Sequence, residues 1–246
     1  MYHDILTNGD PYTITKEQFK QQMALVNELN YHAISVSDFL SIKDQKNLRE
    51  TKEFGLTFDD GYANNYIYCL PELEKYNFRA TFFITTSLID LGRGFSKEQI
   101  YSLSEKDMEI GSHTVNHAFL PNLPDHALRF ELEESKRQLE DIINKPVLSL
   151  SLPGGRGNKK ILKFAHEAGY KSICTSVYHP NDENTDPFSL GRVPIKRNYS
   201  LELFEKIVIQ DKRVWKSMKF KQDMKYVIQR ILGNKLYDSI WKLRYE

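Results

Sequence analysis

The sequence predicts a parallel α/β fold, and three observations carry that expectation. Short apolar runs of strand-forming residues recur along residues 1–210, at least six of them alternating with segments of helical spacing. The connections between them are short, as βα units require. Three motifs rich in polar residues or glycine stand directly behind such runs, after Phe58, Ile110 and Leu152. In parallel β/α architectures the chemistry sits on loops at the C-terminal ends of strands, so this coincidence points to a site. At 246 residues the chain is long enough for its sheet to close into a barrel.

Taken in order, residues 15–30 read as a helix, with Thr15 as cap and Phe19, Met23, Val26 and Leu29 on one face. A strand-type run follows at 33–36, and Ser37-Asp38-Phe39-Leu40 reads as another helix start. Residues 43–52 are polar and charged and read as an exposed connection. Phe54, Leu56 and Phe58 then form an apolar run that stops at Asp59-Asp60-Gly61-Tyr62. Helices are expected at 66–75, 97–107, 126–143, 159–168 and 201–209, and strands at 80–84, 108–113, 147–152, 171–176 and 188–195. Pro153-Gly154-Gly155 stops the 147–152 run, and Asn158 reads as the cap of the helix behind it.

Composition excludes several classes. A hydrophobic fraction of 40% supports a substantial core, and a net charge of +1 implies no nucleic-acid partner. Aromatic residues make up 12%, suiting an aromatic core first and sugar-stacking surfaces second. Cys69 and Cys174 stand in no CxxC spacing and read as buried free thiols. No apolar run reaches the ~18 residues of a membrane span, and the first residues lack the pattern of a secretory signal. The expected location is the cytoplasm or the inner face of the membrane.

The motifs carry the chemistry. Neighbours on a strand point to opposite sides, so Asp59 and Asp60 cannot do one job from one place. In His113-Thr114-Val115-Asn116-His117 two imidazoles four residues apart can grip one cation. With one carboxylate from the Asp59-Asp60 loop they make a three-ligand set that leaves a position open, as catalytic zinc-type sites do. The glycines of Leu152-Pro153-Gly154-Gly155-Arg156-Gly157-Asn158 let backbone amides approach a ligand, where they can stabilise an oxyanion.

Thr57-Phe58-Asp59-Asp60-Gly61, His113-Thr114-Val115-Asn116-His117 and the Pro-Gly-Gly-Arg loop, in this order, resemble the polysaccharide deacetylases, the NodB-homology group or carbohydrate esterase family four. The resemblance covers roughly residues 1–210. It implies a distorted (β/α) barrel, one divalent metal ion, usually Zn2+, and hydrolytic removal of an acyl group from a sugar. On matching positions it implies Asp60, His113 and His117 as metal ligands and Asp59 as the base that activates water. Gly154, Gly155 and Tyr62 are the expected contacts to substrate and oxyanion. Where Gly154 stands the family usually has an aromatic residue, so main-chain contact survives but an aromatic wall does not. Arg192, within Leu190-Gly191-Arg192-Val193-Pro194-Ile195, is expected to orient Asp59 and keep it ionised, with Arg156 as the competing candidate.

The clearest departure is at the acid. Many members end in a Leu-x-His motif, and none follows residue 179 here. Tyr2-His3-Asp4-Ile5 instead resembles members that begin with a Tyr-His-x-Ile segment, which makes His3 the expected general acid. The expected substrate is an amino-sugar glycan or a lipid-linked precursor. The alternatives are a non-catalytic glycan-binding module on the same fold, or a deformylase or deacylase of a lipid-linked amino sugar.

Residues 211–246 lie outside the resemblance. They carry ten basic and four acidic side chains. Met224, Val227, Ile228, Ile231 and Leu232 form one helical stripe, and Leu236, Tyr237, Ile240, Trp241 and Leu243 continue it past Gly233-Asn234. The segment reads as helices packed on the barrel, or as a basic amphipathic attachment to an anionic membrane surface.

Overall fold

Backbone pairing in this chain runs almost completely around a ring. The computed structural model describes residues 1–43 and 51–232. Five strands, β3 (Thr57–Phe58), β4 (Thr81–Ile84), β5 (Glu109–Ser112), β6 (Ser149–Ser151) and β7 (Ser172–Cys174), pair in that order, all in parallel. β1 (His32–Ile34) and β2 (Glu53–Gly55) form a separate parallel pair, and β2 leads directly into β3. Beyond β7 the pairing continues through single contacts. Cys174 bridges Leu190, Met1 N donates to Val193 O, Ile195 N donates to Met1 O, and Tyr2 bridges Phe58. The result is a curled parallel sheet whose open side is closed by two extended segments, a distorted barrel.

The helices form where their ends are capped and one face is apolar. α1 (Lys16–Glu28) starts with a reciprocal capping box between Thr15 and Gln18 and buries Phe19, Met23 and Val26. α2 (Val36–Lys43) follows β1. The helix expected at 66–75 starts earlier and is broken into α3 (Ala63–Tyr68) and α4 (Leu70–Lys75). Pro71 sits in the first turn of α4, where its missing N–H and its ring interrupt a continuous ladder. α5 (Lys97–Glu105), α6 (Asp125–Ile143) and α7 (Lys159–Glu167) follow the expected positions. Asn158 accepts from Ile161 N and caps α7. α8 (Leu201–Val208) is capped by Ser200. Aromatic packing fills the centre: the rings of Phe58 and Phe82 stack with centroids 4.7 Å apart, and Tyr2 meets Phe19 edge-on.

Two expectations are corrected. Residues 188–195 do not form a strand: a 3-10 turn occupies Pro187–Ser189, and only Leu190 makes a bridge. Pro194 has no N–H to give a ladder, and Gly191 packs so closely on His179 that a Cβ would lie 2.7 Å from its carbonyl oxygen. The segment stays extended because Leu190, Val193 and Ile195 are buried. The second correction concerns α9 (Lys212–Leu232), one helix that packs on the body through Val214, Trp215 and Met218. Met224 and Val227, expected on the packing stripe, are exposed, together with Phe220. The expected break at Gly233-Asn234, the apolar positions beyond it and most of the 43–52 connection lie outside the described residues. Among the described residues no helix is long and apolar enough to cross a membrane. Cys69 and Cys174 are buried and unlinked.

Candidate metal and catalytic site

Parallel strands deliver their C-terminal ends to one side, and there the three motifs meet. Asp59 and Asp60 follow β3, His113 follows β5, and the Pro153–Gly155 turn follows β6. His113 Nε2 and His117 Nε2 each lie 3.5 Å from Asp60 Oδ1. One ligand atom from each of the three residues falls within 4.8 Å of the others. Donors about 2.0–2.1 Å from a tetrahedral zinc stand roughly 3.3 Å from one another, and the two spacings to Asp60 are close to that, so the set suits a divalent cation.

The tautomer of His113 also fits. Its Nδ1 lies 2.8 Å from the Ser151 carbonyl, which can only accept, so Nδ1 carries the proton and Nε2 keeps its lone pair for a metal. Asp60, Thr114 and His117 all have positive φ, at 74°, 69° and 54°. A β-branched threonine in that region stores strain, and the surroundings must hold it. Glu131 of α6 does so. Its buried carboxylate accepts from Val115 N and Asn116 N, at 2.9 Å each, and from Asn116 Nδ2 at 2.8 Å. The loop between the two histidines is thereby clamped to a helix.

Asp59 has a different setting. Arg192 grips it with both terminal nitrogens, Nη1 to Oδ1 at 2.7 Å and Nη2 to Oδ2 at 2.8 Å. Ser151 Oγ donates to Oδ2 at 2.9 Å, and Arg192 is itself fixed by Thr57 Oγ1 and the Thr175 carbonyl. Burial alone would raise the Asp59 carboxyl, but Arg192 and then His113 override it and hold it well below the usual carboxylate range. Burial likewise opposes the charge on Asp60, yet the contact with His113 wins and its value is lowered. His113 is pulled down by burial and raised more strongly by the two aspartates. Burial and the neighbouring His113 lower His117.

His3, Asp59, Asp60, His113, His117 and Gly154 line one cavity of about 730 Å³. Nδ1 of His3 is buried with no hydrogen-bond partner among the described residues. Burial lowers the His3 imidazole, while Asp59 and Asp60 pull the other way. Arg192 holds Asp59 from behind and does not line the cavity; Arg156 does line it, with its guanidinium 5.2 Å from the Tyr226 ring. Gly155 is placed elsewhere than expected. Its N–H donates to Leu152 O at 2.7 Å, so that amide is already used. At φ +69°, with a Cβ only 2.2 Å from Ser176 Oγ, its position accepts glycine alone. Tyr62 stands at the start of α3 with Arg93 over its ring at 4.6 Å, outside the cavity lining.

Sequence reasoning missed Glu131, Ser151 and Thr57 as partners within the site, and it read a helix at α9 without placing it on the cavity. Glu131 falls on the core face of α6 between Leu128 and Ser135, a spacing that marks it as a carboxylate where an apolar side chain is expected. Ser151 alternates with Leu150 on a buried strand, a weaker signal.

The sequence model of one family, described as polysaccharide deacetylase, matches residues 46–173. YxkH of Bacillus subtilis, which its name places among polysaccharide deacetylases, is 27% identical over 204 residues, covering 83% of this chain and 73% of that protein. A peptidoglycan-N-acetylglucosamine deacetylase of Bacillus cereus is 32% identical over 133 residues, 53% of this chain and 60% of its own length. Among solved structures, the Streptococcus pyogenes deacetylase PplD in complex with acetate superimposes with a TM-score of 0.76 at 26% identity, covering 82% of this chain and 93% of that one.

Proposed function

The chain belongs to the polysaccharide deacetylase family, and from that premise we propose that it hydrolyses the N-acetyl group of an amino sugar in a glycan. The observation that carries the reading is an aspartate held ionised by a buried arginine, directly beside an Asp-His-His set, in a cavity that also admits His3. The likeness to a deacetylase solved with acetate and to a peptidoglycan-N-acetylglucosamine deacetylase supports an N-acetylglucosamine-containing substrate.

Asp60, His113 and His117 are the residues that would hold a divalent cation, with zinc the expected ion and cobalt, nickel or iron compatible with the donors. When bound, the cation supplies Lewis-acid polarisation of the acyl carbonyl and brings the pKa of a water down towards neutrality. Asp59 takes the proton of the attacking water as its oxygen bonds to the acyl carbon. Arg192 keeps Asp59 ionised and fixes both carboxylate oxygens, so the base does not rotate out of line. The carbonyl oxygen takes up the negative charge of the tetrahedral state, and Gly154, which lines the cavity, is the backbone position that would face it. His3 then protonates the departing nitrogen as the C–N bond breaks, leaving acetate and a free amine. Burial favours the neutral His3 imidazole, while the nearby Asp59 and Asp60 favour the charged form that this step uses. Peripheral membrane contact through 211–246 rests on Phe220, Met224 and Val227 standing exposed among lysines.

Acetate release from N-acetylglucosamine oligomers and from peptidoglycan by the zinc-loaded protein tests the activity. Release from either is expected. A fully zinc-loaded chain that frees no acetate from both would sink the reading in favour of a binding module.

A further inference from the structure

Helix α9 is a wall of the catalytic cavity, and it arms that wall with positive charge. Arg213, Val214, Ser217, Met218, Lys221, Gln222, Lys225 and Tyr226 all line it, the spacing of a single helical face. The helix is latched in register by Gln222, a buried side chain whose Nε2 donates to Ser176 O at 2.6 Å and whose Oε1 accepts from Tyr178 N at 2.8 Å. Across the cavity stand two more cations, Lys196 and Arg156, both half-buried. Lys196 Nζ sits 5.3 Å from the Tyr12 ring, and Arg156 sits over Tyr226, so aromatic faces hold the two cations in place.

Five cations therefore face this space, against Asp59 and Asp60 as the only carboxylates among its described lining residues. Both carboxylates are engaged, one by Arg192 and the other by the two histidines. Lys225 is lowered by burial and then by the like charges of Lys196 and Arg156, which places the three within one another's field. Several cations lining one cavity beside a reacting centre give it a positive potential that draws anions in.

We propose that Arg156, Lys196 and Lys225, with Lys221 and Arg213 towards α9's start, form an anion subsite beside the hydrolytic centre. The substrate is accordingly an acylated amino sugar that bears an oxyanion, a phosphate or a carboxylate, on the same or the adjoining residue. This deepens the deacetylase reading and rests on it for the reaction, though not for the binding of the anion.

Three substrates of matched size separate the cases with the zinc-loaded chain. They are the neutral disaccharide of N-acetylglucosamine, the same disaccharide with a phosphate at its reducing end, and N-acetylglucosaminyl-N-acetylmuramic acid, which carries a carboxylate. An anionic substrate is expected to exceed the neutral one in kcat/KM by about tenfold or more, one well-made charged contact being worth about that factor. Which anion wins identifies its source. The ratio is expected to fall towards unity in Lys196→Gln/Lys225→Gln and at high salt, and to persist in Lys225→Arg, which keeps the charge. Calorimetric titration with inorganic phosphate gives an independent readout, with affinity expected to drop about tenfold in the double variant. Equal kcat/KM for all three disaccharides, with phosphate affinity unmoved by the substitutions, overturns the subsite and leaves the deacetylase standing. Phosphate binding lost in the double variant, without acetate from any disaccharide, upholds the subsite and removes the deacetylase.

Discussion

Strand β6 carries two serines two residues apart, and each serves a carboxylate at a different end of the sheet. Ser149 donates to Glu109 at the start of β5, and Ser151 donates to Asp59 behind β3. The two carboxylates are treated differently. Among the described residues Glu109 takes only neutral donors: the hydroxyls of Ser37, Thr81 and Ser149 and the Ser37 amide at the start of α2. Asp59 takes a guanidinium in both oxygens, has His113 at 3.9 Å, and opens on a cavity. Hydroxyls and an amide satisfy a carboxylate and tie elements together. A buried cation also fixes its protonation state, which is what a reacting group needs. The ends of the same strands are thus divided between cohesion and chemistry.

Substitutions that remove charge from each end sharpen the contrast. Asp59→Asn is expected to lower kcat for acetate release by about 10²–10⁴-fold. It also leaves Arg192 buried without its partner, so urea unfolding should show a loss of about 3–5 kcal/mol. His3→Ala, at the same end, is expected to lower kcat within that same range while calorimetry finds zinc affinity unchanged; a near-normal kcat removes His3 from the reaction. Glu131→Gln should act on the metal rather than on the proton transfers, weakening zinc binding by about 10–100-fold as the His113–His117 loop loses its clamp. Glu109→Gln breaks the division if it behaves like Asp59→Asn. The expectation is a stability loss of about 1–3 kcal/mol in urea, with kcat near that of the unsubstituted chain.

Much of the site could be read from the sequence because strand ends are marked locally. Phe58, Ile110 and Leu152 each end an apolar run, and the residues behind them meet because parallel strands present their C-termini together. What stayed hidden depends on tertiary packing. Glu131 has the same side chain as Glu133 and Glu134 two and three positions on, and only the fold makes the first buried and bonded to a loop. The choice between Arg156 and Arg192 likewise turns on which guanidinium passes behind β3. The apolar residues of 188–195 read as a strand because burial alone was visible, while Gly191 and Pro194 deny the ladder. In α9 the stripe of Met224 and Val227 suggested the packing face, yet Gln222 makes the specific contact, because the element it meets offers a free amide and carbonyl rather than an apolar groove.

The central claim is that Asp60, His113 and His117 form one cation site on which Asp59 and His3 depend. Titrating the metal-free chain with zinc while following acetate release from N-acetylglucosamine oligomers tests it most directly. Release is expected to be absent without metal, to rise in proportion to added zinc and to level off at one zinc per chain. Acetate released at full rate without metal, or no release at one bound zinc per chain, would contradict it.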